Sequence, residues 1–324
     1  MAASRVLFTR GGYTESEHAL RWIATGPDGA VLDASDEDAH EEGVFPRSAV
    51  KPLQALPSVR AGTLERFGLA DRHLALACAS HGGTQQHVAV VAQVLEAVGL
   101  REQHLACGPL DPRDPHAAMA SRARGELPSR LVHNCSGKHA LALARCVQEG
   151  WPVRGYTQPG HPGQRAMHAG VSAAAGLAPQ DVPFGEDGCG MLAFQLPLVT
   201  LARAFGKLAS GGLGPGGERV ADAMRAHPTL VAFTGALDTE LMRAEDGLVA
   251  KIGAEGVLAV GLPDGRGLAV KVADGAMRAL DPAGVVLCRE VLGLHCSGGA
   301  LESLARPVVV NSRGERVGSG RAVA

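Results

Sequence analysis

The segment Phe45-Pro46-Arg47-Ser48-Ala49-Val50-Lys51-Pro52 holds a serine and a lysine three positions apart. If the segment is helical, Ser48 and Lys51 lie one turn apart on the same face. A serine hydroxyl becomes a good nucleophile when a base takes its proton, and a desolvated lysine held neutral can be that base. Because Pro52 lacks a backbone donor, we expect the helix to begin at Ser48 or to be distorted there. The pattern predicts either a Ser–Lys nucleophile or an ordinary helix start with both side chains in solvent.

On either side of this segment, strand patterns lie at both ends of the chain and helical patterns fill the middle. Apolar runs bounded by turn residues predict strands at 6–9, 19–24, 30–32, 249–252, 257–261, 267–272, 308–311 and 315–317. Apolar residues at helical spacing predict helices at 86–98, 165–175, 191–208 and 218–226. We therefore predict an α/β (α+β) fold in a single domain of residues 1–324. Its antiparallel sheet comes from about 1–35 and 245–324 and packs against a mostly helical middle.

The composition argues against several classes of protein. The chain has 324 residues, a formal net charge of −2 and 3% aromatic residues, so no nucleic-acid partner is expected. No apolar stretch is long enough to cross a bilayer, and the N-terminal residues have no apolar core behind their charge, so we expect neither a membrane span nor a secretory signal. Seven cysteines without a C-x-x-C motif favour a reduced, cytoplasmic protein. The acidic segment 35–42 is expected to be a solvated loop.

Short polar clusters lie at glycine-flanked ends of the predicted elements, where functional sites are usually built. They are Ser80-His81-Gly82-Gly83, His133-Asn134-Cys135-Ser136-Gly137-Lys138-His139, Glu186-Asp187-Gly188-Cys189-Gly190 and Lys251-Ile252-Gly253. An early S-x-x-K, a helical middle and a K-x-G triplet on a late strand follow each other in this order in serine β-lactamases and penicillin-binding proteins. Ile252 stands where those enzymes carry Ser or Thr, so the triplet alone is a weak signal.

Together these segments resemble the L-asparaginase II family, the serine/lysine type of asparaginase. The resemblance extends over nearly the whole chain and rests on Ser48-Ala-Val-Lys51-Pro-Leu-Gln54, Ser80-His-Gly-Gly83, the segment 133–139, Asp187-Gly-Cys-Gly190 and Asp238-Thr-Glu-Leu-Met242. It implies a serine β-lactamase-like fold, a homodimer, and hydrolysis of L-asparagine to L-aspartate and ammonia. It also implies two Ser–Lys pairs, which by position are Ser48 with Lys51 and Ser80 with Lys251. Which serine attacks stays open.

The resemblance further implies a metal site, usually zinc, formed by Cys135, Lys138 and Cys189. Two thiolates suit Zn²⁺, whereas lysine is a rare ligand because it must first lose a proton. The alternative is that Cys135 and Cys189 are buried thiols that pack like apolar groups. The other cysteines are predicted to be packing residues, namely Cys78, Cys107, Cys146, Cys288 and Cys296.

A small zwitterionic substrate needs a carboxylate for its amino group and a cation or a helix N-terminus for its carboxylate. Asp187 is the candidate for the amino group, with a surface acid in a tight turn as the alternative. For the carboxylate, the candidates are His139, Arg47 and the turn at Lys138.

Two loops could supply backbone N–H groups to an oxyanion, namely 80–83 and 188–190. His81 is a further substrate-binding candidate, and its alternative is a hydrogen-bonded loop residue with no role.

Two other functions stay open at the level of the sequence. One is a related small-amide hydrolase, such as a glutaminase or a β-lactam hydrolase. The segment 232–237 departs from the family pattern, which leaves the substrate preference open. The other is a non-catalytic zinc or amino-acid binding protein, in which the lysines are only surface cations.

Overall fold

The computed structural model describes residues 2–36 and 43–324, so positions 37–42 of the predicted acidic loop lie outside the described residues. Its strands are β1 Arg5–Arg10, β2 Tyr13–Thr25, β3 Val31–Ala34, β4 Gly43–Val44, β5 Phe184–Glu186, β6 Leu192–Phe194, β7 Leu196–Pro197, β8 Val249–Gly253, β9 Val257–Gly261, β10 Gly267–Val272, β11 Val308–Val310 and β12 Arg316–Val323. Its α-helices are α1 Lys51–Arg60, α2 Thr63–Arg66, α3 Asp71–Ala77, α4 Gln85–Ala97, α5 Pro115–Ala123, α6 Ser136–Glu149, α7 Pro162–Ala175, α8 Leu198–Ala209, α9 Pro215–Ala226, α10 Pro228–Val231, α11 Leu237–Ala244, α12 Met277–Glu290 and α13 Gly299–Ala305. No helix in this described part of the chain has the length and apolar character needed to cross a membrane.

The chain divides into two compact units. The sheet unit comprises Met1–Ala49, Gln195–Gly212 and Gly235–Ala324, and the helical unit comprises Val50–Phe194 and Leu213–Thr234. In the sheet unit, strands from both ends of the chain form one antiparallel sheet in the order β11-β12-β1-β2-β10-β9-β8, with β3 paired to β2. The predicted mixture of helices with an antiparallel sheet built from the two ends of the chain is confirmed.

Helices cover both faces of this sheet. A Cβ added at Gly261 of β9 would lie 1.9 Å from Phe205 O in α8. On the same strand Leu258 contacts α12, since its Cδ2 atom lies 2.8 Å from where a Cβ would stand at Gly284. Residues 258 and 261 point to opposite faces because side chains alternate along a strand. Every residue of β9 is buried as a result.

In the helical unit, a close approach of α3 and α6 brings two polar clusters together. A Cβ added at Gly137 would lie 2.2 Å from Leu76 O, so only glycine permits this helix spacing. The helix α1 also packs against both α3 and α6. The end of α3, which leads to Ser80, therefore lies beside the start of α6, which carries the second cluster.

The predicted helix over 191–208 is wrong in its first part. Strands β5 and β6 form a hairpin with Phe184 opposite Phe194, and β7 follows before α8 begins at Leu198. The chain can reverse because Gly190 adopts a φ of +83°, which favours glycine. Asp187 and Cys189 therefore lie in the turn of a hairpin rather than before a long helix.

Candidate active site

Lys51, the first residue of α1, has no solvent exposure. Its Nζ atom donates to Ser80 Oγ at 3.2 Å, to Asn134 O at 3.4 Å and also to Ala79 O. The residues 47–50 form a 3-10 turn, and α1 begins after it with Pro52 at the second helical position, where its missing N–H is harmless. The expected distortion at the helix start is therefore confirmed. A lysine in this position can accept the serine proton once its amine is neutral.

Ser80 lies in the loop between α3 and α4 and is held there by its backbone. Its N–H donates to Val231 O at 2.9 Å. The following Gly82 has no room for a side chain, because a Cβ there would lie 2.8 Å from Asp114 Cβ. The tight loop leaves Ser80 only 3% exposed, with its hydroxyl against Lys51.

The ring of His81 makes hydrogen bonds within the protein at both nitrogens. Gly83 N–H donates to Nδ1 at 3.1 Å, so the ring proton sits on Nε2 and is donated to Ser136 Oγ at 2.8 Å. The Ser136 hydroxyl in turn donates to Leu131 O. Burial holds the pKa of His81 well below its usual range, so the ring is neutral. A substrate contact through this ring would have to replace one of these bonds.

The two loops predicted to hold an oxyanion have few free donors. The N–H groups of Ser80, Gly82 and Gly83 donate within the protein. Those at 188 and 190 donate to Asp187. Among the described residues, the N–H groups of His81 and Cys189 have no hydrogen-bond partner. The His81 N–H directly follows the serine, which is where an oxyanion donor is most useful.

Cys135 and Cys189 form a buried thiol pair beside Lys138. The hydrogen bond from Cys189 holds the pKa of Cys135 well below its usual range, and the cations of Lys51 and Lys138 lower it further. The same hydrogen bond, together with burial, raises the pKa of Cys189. Burial lowers the pKa of Lys138, but the two sulfurs and Asp187 outweigh it and raise the pKa above its usual value. The lowered pKa of Cys135 favours its thiolate beside the ammonium of Lys138, and the raised pKa of Cys189 favours its thiol.

Asp187 is part of the same buried group. Its Oδ1 atom accepts the Gly188 N–H at 2.8 Å, and its Oδ2 atom lies 3.8 Å from Lys138 Nζ and 3.8 Å from Cys189 Sγ. The side chain is buried, so Asp187 is not a surface acid. A carboxylate among these groups balances the charge of Lys138.

His139 lies in the first turn of α6 and is fully buried. Its Nδ1 atom lies 2.5 Å from the Tyr156 hydroxyl, and its Nε2 atom has no hydrogen-bond partner among the described residues. Burial and the charge of Lys138 hold the pKa of His139 well below its usual range. Of the predicted substrate-binding side chains in the helical unit, His139 therefore has a buried polar atom that is still free to bind.

Lys251 belongs to the sheet unit, where it lies on β8 and forms a salt bridge with Asp238 of α11. Lys251 Nζ lies 2.9 Å from Asp238 Oδ2 and also donates to Ile252 O. Neither side chain is exposed. The predicted partner of Lys251 was Ser80, whereas the carboxylate of Asp238 is the partner observed within the sheet unit.

Arg47 and Ser48 lie half-buried in the turn before α1, and this turn packs against β8 in the sheet unit. A Cβ added at Gly253 would lie 2.0 Å from Pro46 O, so the K-x-G glycine is required for this contact. Gly253 and Lys251 point to the same face of β8. Arg47 has a φ of +52°, which is uncommon for a residue with a side chain and is often found at functional sites.

The donor set predicted for zinc consists of Cys135, Lys138 and Cys189. The described residues contain no group of three or more His, Cys, Asp or Glu side chains arranged to hold a metal ion. Cys135 and Cys189 supply two adjacent sulfurs, so the set fits zinc only if Lys138 is the third ligand. Lys138 would have to give up the proton that its present neighbours stabilise.

The family profile of L-asparaginase II matches residues 6–322, nearly the entire chain. This chain belongs to the L-asparaginase II family. As a member of that family it is an amidohydrolase, and the buried Ser80 and its partner Lys51 lie in two of the motifs that carried the resemblance.

Two solved structures show weaker similarity to this L-asparaginase II chain. A structure titled "Crystal Structure Analysis of Mglu" is 17% identical, with a TM-score of 0.38, and the match covers 86% of this chain and 68% of that one. A structure of Mglu in its L-glutamate binding form is 17% identical, with a TM-score of 0.39, and the match covers 86% of this chain and 61% of that one. A comparison with curated proteins found no match.

Several residues of the site had no assigned role in the sequence. Asp238 stood in a quoted motif, but its partner Lys251 lies thirteen positions away on another element. Tyr156 contacts His139 through its side-chain hydroxyl. Asn134 contacts Lys51 through its backbone carbonyl. A carbonyl acceptor has no sequence signal, and one of only two tyrosines in the chain could have been noticed for its rarity.

Proposed function

We propose that the chain hydrolyses L-asparagine to L-aspartate and ammonia, with Ser80 as the nucleophile and Lys51 as its base. The observation that carries this proposal is the buried hydrogen bond of 3.2 Å between Lys51 Nζ and Ser80 Oγ. Burial of Lys51 removes the water that would otherwise stabilise its charge, which favours the neutral amine that a base must be.

The reaction has two stages. Ser80 Oγ attacks the carbon of the side-chain amide while its proton passes to neutral Lys51. Lys51 then gives that proton to the amide nitrogen, the C–N bond breaks, ammonia leaves and an ester with Ser80 remains. In the second stage water attacks the ester carbon as Lys51 takes its proton, and the proton returns to Ser80 Oγ when aspartate leaves.

The same part of the helical unit contains groups suited to a zwitterionic substrate. The His81 N–H is proposed to stabilise the oxyanion, because it follows the nucleophile and has no partner among the described residues. Asp187 is proposed for the α-amino group and the His139 Nε2 atom for the α-carboxylate. These assignments are supported by burial, since a polar contact gains strength where water is excluded.

Three residues of the sheet unit keep roles that the sequence predicted for them. Ser48 and Lys251 are proposed as a second serine and lysine of the reaction, and Arg47 as a further group for the substrate carboxylate. A Ser48 variant is therefore included in the experiment on the nucleophile below.

We also propose that Cys135, Cys189 and Lys138 are ligands of a zinc ion. Bound zinc would supply a Lewis acid beside the buried polar groups. Metal analysis of the purified protein tests the assignment, with Cys135→Ser and Cys189→Ser as variants and Cys107→Ser, a buried cysteine outside the set, as the control. Equal zinc content in all four proteins would contradict it.

The finer fold class and the assembly are proposals as well. A serine β-lactamase-like arrangement is supported by the order of Ser48, the helical segments and the K-x-G strand β8 along the chain. A homodimer follows from the family resemblance alone, and sedimentation of the purified protein tests it.

The activity is tested by ammonia release from L-asparagine and L-glutamine, with a β-lactam as a third substrate and with and without added zinc. We expect faster release from L-asparagine. Faster release from L-glutamine would favour a glutaminase, and saturable amino-acid binding with no turnover would favour a binding protein.

The nucleophile is tested by intact mass after rapid quenching, using Ser80→Ala and Ser48→Ala. We expect the acyl adduct in Ser48→Ala and none in Ser80→Ala. An adduct that persists in Ser80→Ala would exclude Ser80 as the attacking group.

A further inference from the structure

The pair formed by His139 and Tyr156 has a hydrogen-bond arrangement that determines which nitrogen of the histidine carries the proton. Both side chains are buried, and Tyr156 OH lies 2.5 Å from His139 Nδ1. The same hydroxyl oxygen accepts the Ala106 N–H at 2.9 Å. On the other side of the ring, Nε2 has no hydrogen-bond partner among the described residues.

The position of the proton follows from counting donors and acceptors. The Tyr156 hydroxyl has one proton, and the nearest acceptor that its contacts provide is His139 Nδ1. If Nδ1 carried the proton instead, the Tyr156 oxygen would accept two hydrogen bonds and its own proton would be buried without an acceptor. That state would leave two buried polar groups unsatisfied, the Tyr156 O–H and the bare Nε2 atom, whereas the Nε2–H tautomer leaves only the Nε2–H without a partner. The proton of neutral His139 therefore lies on Nε2.

We propose that Tyr156 is a positioning residue that fixes the Nε2–H tautomer of His139, so that the site offers an N–H donor to a carboxylate oxygen of its ligand. The claim that this N–H binds a carboxylate of the ligand rests on the proposed function, whereas the claim that Tyr156 fixes the tautomer does not. Tyr156 does not touch the reacting atoms in this scheme and acts only through the ring of His139.

A carboxylate is the ligand chemistry that these surroundings favour. His139 follows Lys138 in the first turn of α6, and its Nε2–H is a buried donor without a partner among the described residues. An anionic oxygen that accepts the Nε2–H would satisfy this buried donor through a charge-assisted hydrogen bond.

A further contact holds Tyr156 in place. The side-chain amide of Gln164 donates to Tyr156 O at 3.0 Å, and its oxygen accepts the Leu192 N–H at 3.3 Å. Gln164 thus links the backbone of Tyr156 to the strand β6 of the hairpin that carries Asp187. The hydroxyl is thus held by the Ala106 N–H and the backbone of Tyr156 by Gln164, and a fixed side chain is what fixing a tautomer requires.

The proposal is tested by nitrogen NMR of the full-length protein labelled in histidine, with Tyr156→Phe as the variant. The chain has 13 histidines, so the His139 signals are assigned by their loss in His139→Gln. The matched control is Tyr13→Phe, which removes the hydroxyl of the other, exposed tyrosine. We expect the His139 proton on Nε2 in the wild type and in Tyr13→Phe, and a mixture of tautomers in Tyr156→Phe.

The donor role is tested by titrating L-aspartate into the same samples and by kinetics with L-asparagine. We expect L-aspartate to shift the His139 Nε2 signal, and Tyr156→Phe to raise KM about 10-fold with a smaller change in kcat, as for the loss of one hydrogen bond to a charged group. In a His139→Ala background the additional Tyr156→Phe change should have no effect on KM.

Three results would overturn the proposal. They are a proton on Nδ1 in the wild type, an unchanged tautomer in Tyr156→Phe, and an equal KM effect of Tyr156→Phe with and without His139. The NMR measurement needs no turnover, so a protein that releases no ammonia but shows the expected tautomers would contradict the proposed function and support the positioning role.

Discussion

Lys251 and Asp238 form a salt bridge of 2.9 Å in which neither side chain has any solvent exposure. The same Asp238 oxygen also accepts the Ile252 N–H at 3.2 Å, so one carboxylate holds both the lysine and the backbone of its strand. A buried pair of this kind is costly to break, because removal of one partner leaves the other charge without water and without a counterion.

We expect Lys251→Met or Asp238→Asn to lower the free energy of unfolding by about 3–5 kcal/mol, because each leaves a buried polar group without its partner. The double variant Lys251→Met/Asp238→Leu should recover part of this loss, because it leaves neither charge buried. Urea unfolding monitored by circular dichroism provides the measurement. The control is the exposed pair Arg313 and Glu315, where Arg313→Met should change the free energy of unfolding little. Equal stability of Lys251→Met and this control would show that the pair does not support the fold.

Gly253→Ala tests the contact between β8 and the turn that carries Ser48. The new Cβ would lie 2.0 Å from Pro46 O, and a backbone atom cannot move aside cheaply. We expect a loss of about 3 kcal/mol in the free energy of unfolding, with a decrease in ammonia release if Ser48 acts in the reaction. The control is Gly299→Ala, where a Cβ meets nothing within 4 Å and the residue starts α13. A Gly253→Ala protein as stable as Gly299→Ala would contradict the packing argument.

Lys51→Met removes the proposed base while keeping a long apolar side chain in a buried position. We expect kcat for L-asparagine to fall by about 10³-fold, in the range that general base catalysis contributes. The variant also leaves Ala79 O and Asn134 O without their donor, so circular dichroism and thermal unfolding must confirm that it is folded. The control is the exposed Lys207→Met, which should keep full activity. A folded Lys51→Met with wild-type kcat would rule out Lys51 as the base.

Asp281 gives the stability of the sheet unit a dependence on pH. Burial, together with the charge of Asp238, raises the pKa of this carboxyl in α12 to about 6. An acid whose pKa is higher in the folded state binds its proton more tightly there. Its contribution to stability is therefore complete below the pKa of the unfolded chain, near 4, and is lost as the pH rises through about 6.

Asp281→Asn keeps the shape of the side chain and removes this titration. We expect the variant to be more stable than the wild type by about 2 kcal/mol at pH 7.5, with almost no difference at pH 4. Buried histidines such as His81 act in the opposite direction, since their lowered pKa reduces stability as the pH falls, but they are common to both proteins and cancel in the comparison. A difference that is the same at pH 4 and pH 7.5 would show that the pKa of Asp281 is not raised.

The strands of the sheet were predictable from local pattern. The runs around 19–24 and 30–32 form the hairpin β2–β3, and those from 249 to 272 form the meander β8–β9–β10. Turn residues mark these connections in the sequence, because a turn joins residues that are close together in the chain. The hairpin of β5 and β6 was missed because its apolar run continues into α8, so the pattern reads as one helix.

The sequence by itself determined the family, the mixed architecture and the residues with reactive side chains, because motifs, periodicity and turn chemistry are local properties of the chain. Only the tertiary structure decided that Lys51 bonds to Ser80, that Lys251 bonds to Asp238 and that His139 keeps a free Nε2. Partners of buried polar groups are set by packing between segments far apart in sequence, at glycines such as Gly137 and Gly253 where two backbones touch. Such contacts leave no periodic signal in the amino-acid sequence.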